Sequence, residues 1–367
     1  MRIGLVARCL NTAHVRGMGK YVMELLRQSG DDIDWHLFAD DPRYPLLHPE
    51  GPRFTPDIFE FRGDRFRLWE QLGLPLRARR MPLTLLHCTE GALPLWQPLP
   101  TVVTLHDTLA FEERPDTAGQ RLYWDHVIPA ALNRAAHVIT ISECSRRDIL
   151  ARWPALEPRL TVIHHGIEAA YFEPPTAPVP VKLQQALAGA RYAVYLGGPM
   201  KRKRFDWAVQ VLAAQPDATL KLVACGFGAD AREAARRALP RELQGRVLFA
   251  EFLSDAELLA LYRGAVAVLY PTLYEGFGFP AVEAQAAGTP VIFSPLGSLT
   301  ELVGPLTTLV PADDLAAWAA ALHEAATLGA EARADKAARA SAWAQGFRWA
   351  ESYRRHLAVY EQVAGAR

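Results

Sequence analysis

Two glutamates, Glu275 and Glu283, lie on either side of the glycine-rich stretch Gly276–Pro280. An apolar strand predicted at Val266–Leu269 leads into this stretch, and a helix is predicted to begin near Phe279, with the proline in a first turn that needs no backbone N–H. Glycines before a helix let a ligand approach the backbone closely, and the N–H groups of the first helical turn attract an anion. Carboxylates repel phosphate and suit hydroxyls. The pattern therefore indicates a ligand with hydroxyls on both sides of a phosphate, as in a nucleotide-sugar.

The same segment resembles the E-x7-E signature of retaining glycosyltransferases of family 4, which have the GT-B fold. The resemblance implies that Glu275 contacts the donor sugar and that Glu283 binds the nucleotide ribose. It also implies that the backbone amides of Gly276, Phe277 and Gly278 bind the donor diphosphate. A turn with two solvated acids is the alternative interpretation, and the full EGFGFPAVEAQAAGTPV context disfavours it.

Four basic residues, Lys201–Arg204, follow a glycine turn at Gly197 and Gly198, directly after the first predicted strand of the second half. Guanidinium and ammonium groups in this position can neutralise a diphosphate. The segment resembles the family's glycine turn followed by an Arg-Lys pair, which implies that Arg202 and Lys203 bind the donor diphosphate. Gly198 departs from the family pattern, because many members carry arginine there, so the roles of the four cations stay open. A solvated basic turn is the alternative interpretation.

Two segments of the first half carry further candidates. The loop that contains Gly17 and Gly19 joins the first strand to a predicted helix ending near Gln28, and it resembles the family loop that lies over the donor diphosphate. His106 and Asp107 end the fourth predicted strand, and site residues gather at the carboxyl ends of strands in α/β domains. The family carries a histidine here, close to the reacting carbon of the donor. We therefore assign His106 to the site and Asp107 to helix capping.

Length and composition set the outer limits. At 367 residues the chain exceeds what one hydrophobic core usually organises, so two domains are expected. The 40 basic and 40 acidic residues balance, which argues against general nucleic-acid binding. We expect a cytoplasmic protein, because no apolar run is long enough to span a membrane and Met1 leads directly into a strand. Cys9, Cys88, Cys144 and Cys225 lie far apart and are predicted to be reduced core thiols, not disulfides or metal ligands.

Strand patterns alternate with helical patterns through both halves, as is typical of parallel α/β sheets. About six strands are predicted in each half, which indicates two Rossmann-like domains, and a cleft would form where they face each other. This prediction agrees with the GT-B fold that the family resemblance implies. The proline-rich segment Glu173–Lys182 cannot pair in a sheet and marks the boundary. The predicted domains are residues 1–175 and 191–346, joined by a linker at 176–190.

The C-terminal segment Trp343–Val363 has apolar residues at helical spacing, among them Trp349, Tyr353 and Tyr360, and it predicts a helix with one buried face. In the resembled family this last helix crosses back to the N-terminal domain. Residues 347–367 are therefore assigned to that domain.

An alternative class of protein rests on Gly226, Gly228 and Ala231, which fit the G-x-G-x-x-A pattern of dinucleotide binding, with Glu251 at the end of the next strand. This would indicate an NAD-dependent oxidoreductase. The motif follows the second strand of its domain instead of the first, and no acid-base set for hydride transfer lies near it. A GT-B nucleotide-sugar epimerase is the other alternative, and it would release no nucleoside diphosphate in response to an acceptor.

The resemblance implies transfer of a hexose from a nucleoside-diphosphate sugar with retention of configuration, and it implies neither a metal nor a cofactor. No carboxylate stands out as a covalent nucleophile, so we prefer attack from the face that the leaving group occupies. Glu275 would position the sugar and His106 would orient it. The nucleoside would lie near Phe252, Leu253 and Glu283. The similarity to bacterial mannosyltransferase-like members of surface-polysaccharide synthesis favours GDP-mannose over a UDP-sugar.

The acceptor is expected to be a saccharide or a lipid-linked saccharide. The segment Arg62–Arg80 mixes arginines with Leu68, Trp69, Leu72 and Leu76, and it could rest on an anionic membrane at the inner face. An ordinary surface helix that packs its apolar side inward is the alternative, and it is slightly favoured.

Overall fold

A computed structural model describes residues 1–13, 15, 17–61, 67–112 and 117–366. The chain divides into two compact units. Unit 1 comprises Met1–Gly166 and Trp349–Arg367, and unit 2 comprises Ile167–Arg348. Each unit contains one parallel sheet with helices packed against it, so the predicted α/β class with two parallel-sheet domains is confirmed.

Unit 1 has a seven-stranded sheet in the order β3-β2-β1-β4-β5-β6-β7, with every neighbouring pair parallel. The central strands are buried at every position, as a sheet covered on both faces requires. The strands are β1 (Arg2–Val6), β2 (Asp34–Ala39), β3 (Phe54–Ile58), β4 (Leu85–Cys88), β5 (Thr101–Thr104), β6 (His137–Thr140) and β7 (Leu160–Val162).

One strand of this sheet was not predicted. β3 contains Pro56, which has no N–H to donate, and a proline argues against a strand in the interior of a sheet. β3 lies at the sheet edge and pairs only with β2, where Leu37 is the register partner of Pro56. An edge strand has one side without a partner strand, so the missing donor is tolerated there.

The helices of unit 1 in the first part of the chain are short, apart from α1 and α6, and two single-turn π-helical segments, Trp69–Gly73 and Tyr123–Val127, extend α2 and join α4 to α5. The helices are α1 (Met18–Gln28), α2 (Leu74–Ala78), α3 (Leu109–Glu112), α4 (Ala118–Leu122), α5 (Ile128–Leu132) and α6 (Glu143–Arg152). The predicted helix from the glycine loop to Gln28 is therefore confirmed as α1.

Unit 2 has a six-stranded parallel sheet in the order β10-β9-β8-β11-β12-β13. Its strands are β8 (Tyr192–Leu196), β9 (Lys221–Cys225), β10 (Val247–Phe249), β11 (Val268–Tyr270), β12 (Val291–Phe293) and β13 (Thr307–Leu309). Its helices are α7 (Val181–Leu187), α8 (Phe205–Ala213), α9 (Ala229–Ala238), α10 (Asp255–Gly264), α11 (Phe279–Ala286), α12 (Leu315–Thr327) and α13 (Ala330–Ala344). Residues 176–190, which the sequence suggests as a linker, thus include helix α7.

The C-terminal segment differs from its prediction as one continuous helix. α13 ends at Ala344, and a separate helix, α14 (Trp349–Gly365), begins after four non-helical residues. The interruption has a long-range cause: the Ile167 N–H donates to the Phe347 carbonyl at 3.0 Å, and Arg348 forms an isolated β-bridge with Ile167. α14 packs against α1 and β4 and so belongs to unit 1.

Candidate active site

The loop that carries Glu275 follows β11 and ends where α11 begins, at Phe279. Gly278 caps this helix with φ = 104°, a conformation that L side chains rarely adopt. A Cβ atom at Gly278 would also come within 2.7 Å of a Leu299 methyl group. The helix start predicted from the glycines and Pro280 is confirmed, and Gly278 is required by both its backbone angle and its packing.

Ser298 holds the Glu275 loop in place. Its hydroxyl lies 2.8 Å from the Glu275 carbonyl oxygen and 2.7 Å from that of Phe277, and its N–H donates to the Glu275 carbonyl at 3.3 Å. The preceding Gly297 has φ = 58°, and a Cβ there would lie 3.2 Å from the same Glu275 oxygen. The sequence reasoning missed this role, because a serine 23 residues after the glutamate carries no local signal of it.

Glu275 meets the basic run of the Gly197–Arg204 segment. β8 and β11 are neighbours in the sheet, so the segments that follow their carboxyl ends come together. Lys203 Nζ forms a short hydrogen-bonded ion pair with Glu275 Oε1, and Arg202 Nη1 lies 3.2 Å from the same oxygen. Arg202 also donates to the Tyr274 carbonyl at 2.7 Å. The structure thus brings Arg202, Lys203 and Glu275 together.

This ion pair is largely removed from water. Glu275 is buried, and the side chain of Lys203 is 13% exposed. The Tyr270 hydroxyl lies 3.2 Å from Lys203 Nζ, and the ammonium group lies 5.2 Å from the centre of the Tyr270 ring. Burial lowers the pKa of Lys203, and the negative charge of Glu275 acts in the opposite direction. A cation in such surroundings interacts strongly with any anion that reaches it.

The other members of the basic run face elsewhere. Arg204 pairs with Asp313 at 2.8 Å, donates to the Ala312 carbonyl at 2.7 Å and stacks over Trp207 at 4.1 Å. Lys201 is exposed. The roles that the sequence left open are therefore divided by geometry, since only Arg202 and Lys203 contact Glu275 among the described residues of the run.

Gly198, the departure from the family pattern, has a structural reason. Its φ is 61°, and a Cβ there would lie 2.5 Å from the carbonyl oxygen of Gly226. The Gly198 N–H donates to the Cys225 carbonyl at 3.2 Å, and the Tyr195 hydroxyl donates to the Gly198 carbonyl at 2.9 Å. An arginine would not fit in this backbone. The close approach also accounts for Gly226, so this glycine of the dinucleotide-like motif supports the turn before the basic run.

Glu283, the second acid, is held differently. It lies in α11, is 3% exposed, and accepts a hydrogen bond of 3.1 Å from the Tyr262 hydroxyl. The ring of Tyr171 packs 6.3 Å from that of Tyr262, and burial followed by the charge of Glu283 raises the pKa of Tyr171. The Tyr171 hydroxyl is buried without a hydrogen-bond partner among the described residues. The two acids therefore have different partners: cations for Glu275 and a phenol for Glu283.

Phe252 and Leu253, predicted to lie near the nucleoside, line a cavity of about 560 Å³ at the β10 edge of the unit 2 sheet. Lys182 and Phe249 line the same cavity. Phe252 is 60% exposed. The cavity lining includes neither Glu283 nor the basic run.

In unit 1, His106 follows β5 and is partly exposed. Its Nε2–H donates to the Thr89 carbonyl at 2.9 Å, because a carbonyl can only accept. The ring packs edge-on to Tyr21 at 5.5 Å and lies 5.6 Å from His165. Burial lowers the pKa of His106, so its imidazole is neutral at neutral pH. Asp107 accepts from the Leu109 N–H at 3.0 Å, as a cap of α3 does.

A chain of buried hydrogen bonds, which we call the histidine–tyrosine network, lies next to His106. The Tyr21 hydroxyl is 2.9 Å from Thr104 Oγ1 and 2.9 Å from His356 Nε2. His87 is 2.9 Å from Thr104 Oγ1 and 2.8 Å from the Tyr360 hydroxyl. Burial lowers the pKa of His87 well below its usual value and that of His356 to about 4. The network ties α14 to α1, β4 and β5, and the sequence reasoning did not anticipate it.

The glycines of the first loop have separate reasons. Gly17 has φ = 44° and open space where a side chain would be, whereas a Cβ at Gly19 would lie 2.9 Å from the Cys9 carbonyl oxygen. Nearby, Arg8 Nη2 lies 3.4 Å from Glu70 and 3.3 Å from Glu90, and Glu90 accepts from the Cys9 N–H at 2.7 Å. The carboxyl edge of the unit 1 sheet therefore also carries an ion cluster that sequence reasoning missed.

The part of the segment Arg62–Arg80 that falls on residues 62–66 lies outside the described residues. In the remainder, Trp69 is buried, whereas Leu68, Leu72 and Leu76 are 39%, 47% and 40% exposed. Residues spaced by four lie on one face of a helix. Neither sequence interpretation of this segment is complete, because one side packs inward and a leucine face stays exposed.

The described residues contain neither a candidate membrane span nor a candidate metal cluster. No helix in that part of the chain has both the length and the apolarity that crossing a bilayer requires. The same residues include no group of three or more His, Cys, Asp or Glu side chains that could hold a metal ion. Of the four cysteines, Cys88, Cys144 and Cys225 are buried, as expected for core thiols, whereas Cys9 is partly exposed.

Comparison with protein families gives two matches that together span most of the chain. The family model described as Glycosyltransferase Family 4 matches residues 15–171. The model described as Glycosyl transferases group 1 matches residues 184–342, which include the basic run and both acids.

Among curated relatives, the chain is 26% identical over 220 residues to the O-antigen chain mannosyltransferase RfbU of Salmonella typhimurium, a match covering 60% of this chain and 59% of that protein. It is 29% identical over 383 residues to the MMP alpha-(1->4)-mannosyltransferase of Mycolicibacterium hassiacum, covering 86% and 88%. The chain thus spans only about three fifths of the length of RfbU.

Among solved structures, the sucrose-phosphate synthase of Thermosynechococcus elongatus superposes with a TM-score of 0.76 at 22% identity, over 100% of both chains. WaaG, described as a glycosyltransferase involved in lipopolysaccharide biosynthesis, superposes with a TM-score of 0.76 at 13% identity, over 98% of this chain and 99% of that one. At these identities the likeness establishes the fold, and it agrees with the predicted GT-B fold.

Proposed function

The chain belongs to glycosyltransferase family 4, and on this premise we propose that it transfers a hexose from a nucleoside-diphosphate sugar to a saccharide or lipid-linked saccharide acceptor. The transfer retains the anomeric configuration and needs no metal ion. The observation that supports this proposal most directly is the meeting of Arg202 and Lys203 with Glu275 at the carboxyl edge of the unit 2 sheet. Two cations and one acid in a site with little water suit a diphosphate with a sugar attached.

The chemistry assigned to these residues is as follows. The bond between the anomeric carbon and the diphosphate oxygen breaks, and Lys203, Arg202 and the amides of the Glu275 loop stabilise the leaving charge. The acceptor hydroxyl attacks the anomeric carbon from the same face, and its proton passes to the leaving phosphate oxygen. Glu275 offsets the positive charge that develops on the sugar ring. His106 remains the proposed unit 1 contact of the sugar, and Glu283 the proposed contact of the ribose.

The transferred sugar is proposed to be mannose, supplied as GDP-mannose. Two of the relatives named above are mannosyltransferases by description, which agrees with the expectation from the sequence. No observation favours the oxidoreductase or the epimerase, and Gly226 of the dinucleotide-like motif is accounted for by its contact with Gly198.

Thermal unfolding of the purified protein with a panel of nucleotide-sugars tests the donor, because a ligand that binds only the folded state raises the Tm. GDP-mannose is expected to give the largest increase. Incubation with the stabilising donor and candidate acceptors then tests transfer, with nucleoside diphosphate release that depends on the acceptor as the readout. If no nucleotide-sugar or nucleoside diphosphate raises the Tm, the proposal is wrong. Acceptor-independent turnover would favour the epimerase instead.

We also propose that unit 1 touches an anionic bilayer through the leucine face formed by Leu68, Leu72 and Leu76. Three exposed leucines lie on one helical face, and Arg77, Arg79 and Arg80 follow them in the chain. The leucines suit the apolar acyl chains of a bilayer, and the arginines suit its anionic head groups. Co-sedimentation with vesicles containing phosphatidylglycerol should exceed that with pure phosphatidylcholine, and Leu72→Ser should lower it.

The matched control for this test is Leu309→Ser, which changes a leucine of similar exposure, 44%, in unit 2. Equal binding of Leu72→Ser and the wild type would exclude the leucine face as the contact. It would leave the transfer proposal unaffected.

A further inference from the structure

Glu275 is the anion that the diphosphate-binding cations face in this structure. A single oxygen, Oε1, contacts both Lys203 Nζ and Arg202 Nη1, and the Tyr270 hydroxyl lies within hydrogen-bond distance of the same ammonium group. The contacts lie where the proposed function requires the donor diphosphate. One acid therefore shares the two cations with the ligand that they are expected to bind.

We infer that Glu275 is a resting counter-ion that the donor diphosphate displaces from Lys203 and Arg202. This inference rests on the proposed function and adds a step to it: binding of the diphosphate and release of the Glu275 carboxylate are one event. The released carboxylate is then free to face the sugar. The acid is thus made available only when a diphosphate occupies the cations.

Burial makes Lys203 dependent on a nearby negative charge. The Lys203 side chain is 13% exposed and that of Glu275 is 10% exposed. A buried ammonium group without a counter-charge is strongly destabilising, so a carboxylate at this position stabilises the folded protein. The same carboxylate repels a diphosphate, since like charges at close range in a site with little water disfavour each other.

The backbone of Glu275 is held more firmly than its side chain. Its carbonyl oxygen is held by the Ser298 hydroxyl and N–H, and the following helix begins only four residues later. The backbone is therefore fixed, whereas the side chain can change rotamer. Arg202 keeps its bond to the Tyr274 carbonyl and Lys203 its contact with Tyr270, so the cations stay in place while the carboxylate leaves.

Competition between the Glu275 carboxylate and the diphosphate predicts the direction in which a substitution of Glu275 changes diphosphate affinity. Two anions that compete for the same cations weaken each other, and removing one strengthens binding of the other. Neutralising Glu275 should therefore increase affinity for nucleoside diphosphate, although it removes a residue of the site. A residue that merely contributed to the shape or stability of the site would give the opposite sign.

Calorimetric titration of the wild type and Glu275→Gln with GDP, UDP and inorganic pyrophosphate tests the inference. We expect Glu275→Gln to bind the nucleoside diphosphate that the wild type accepts about tenfold more tightly, as for the loss of one close like charge. Its sugar transfer should fall at least as much. Affinity for the nucleoside monophosphate, which lacks the second phosphate, should rise less.

Asp313→Asn is the matched control, because Asp313 forms its ion pair with Arg204 of the same basic run. Its affinity for nucleoside diphosphate should stay within twofold of the wild type. If Glu275→Gln binds as the wild type does, or more weakly, the counter-ion role is wrong. If the wild type and the variant both bind no nucleoside diphosphate, the proposed function itself fails.

Glu275→Asp serves where the neutral variant does not fold. The shorter side chain keeps the negative charge but no longer reaches both cations, so the internal pair is weakened. About a threefold gain in affinity is expected, as for the partial loss of one ion pair. No gain would overturn the inference as surely as the first variant would.

Discussion

The basic run of unit 2 and the histidine–tyrosine network of unit 1 handle titratable groups in opposite ways. In unit 2, Lys203 and Arg202 are paired with Glu275, so charge is retained by placing opposite charges together. In unit 1, the histidines of the histidine–tyrosine network have lowered pKa values, so charge is avoided by burial. The same sheet architecture thus supports a charged cluster in one unit and, beside the ion pairs of Arg8, a neutral hydrogen-bonded network in the other. The first should respond to ligands and the second to pH.

The largest effect is expected from Lys203→Ala. Loss of this charge-assisted contact should cost about 2–4 kcal/mol in the transition state, which is on the order of 30-fold to 1,000-fold in kcat/KM. Arg204→Ala is the control, because Arg204 contacts Asp313 and Trp207 instead of Glu275. Kinetics with the true donor provide the measurement. Near-wild-type kcat/KM for Lys203→Ala would show that the charged cluster of unit 2 does not serve transfer, and the functional difference from the neutral network of unit 1 would be lost.

The second effect concerns pH and unit 1. The pKa of His356 is about 4 in the folded protein, below its ordinary value of 6.5, so the unfolded state binds more protons between these pH values. The contribution of this residue to the free energy of unfolding is fully present above pH 6.5. It is lost as the pH falls, and the loss reaches about 3 kcal/mol by pH 4. The titratable and charged groups around it include Tyr21, His87, His106, His165, Arg355 and Tyr360.

Thermal unfolding between pH 7.5 and 4.5 measures this loss. His356→Gln removes the titrating ring and keeps a hydrogen-bonding side chain, so its Tm should fall less steeply with decreasing pH. If the Tm of the variant depends on pH as that of the wild type does, protonation of His356 does not control the stability of the histidine–tyrosine network.

A smaller effect is expected from Ser298→Ala, which loosens the Glu275 loop without touching a charge. Loss of the hydroxyl should lower kcat about fivefold, as for one hydrogen bond of about 1 kcal/mol, and leave the Kd for nucleoside diphosphate within twofold. Thr300→Ala is the matched control, since the Thr300 hydroxyl donates to the Gly297 carbonyl in the same turn instead of to the carbonyls of the Glu275 loop. A parallel loss of kcat and diphosphate affinity would show that Ser298 supports the whole site instead of the placement of Glu275.

The smallest effect is expected from removing divalent metals. In the proposed mechanism, Lys203 and Arg202 supply the positive charge that a metal ion would otherwise bring to the leaving diphosphate. Activity after dialysis against a chelator should match that of the untreated enzyme. Activity that is abolished by the chelator and then restored by magnesium or manganese would contradict the metal-free proposal. It would show that Lys203 and Arg202 do not supply enough positive charge without a metal ion.

The fold class and the placement of the basic run and Glu275 at strand ends of one domain were accessible from the sequence, because both depend on the strand pattern of a parallel α/β sheet. The ion pair between them was not predicted. Contacts with no local signature were not. His87 and Tyr360 meet although 273 residues separate them, and nothing near either residue indicates the other. Likewise, the interruption before α14 comes from the distant Ile167, and β3 is a strand in spite of Pro56 because it lies at an edge.

The assignment of α14 to unit 1 has a consequence for the order in which the protein is made. Tyr360 and His356 complete the interior of unit 1, yet synthesis supplies them after all of unit 2, Ile167–Arg348. During translation, unit 2 can fold while unit 1 still lacks its final helix. Closing unit 1 then means bringing together two segments separated by an intervening domain, and the entropic cost of a long connection is moderate when that connection is already compact. Unit 1 is therefore completed after unit 2, although its first strand is synthesised before unit 2.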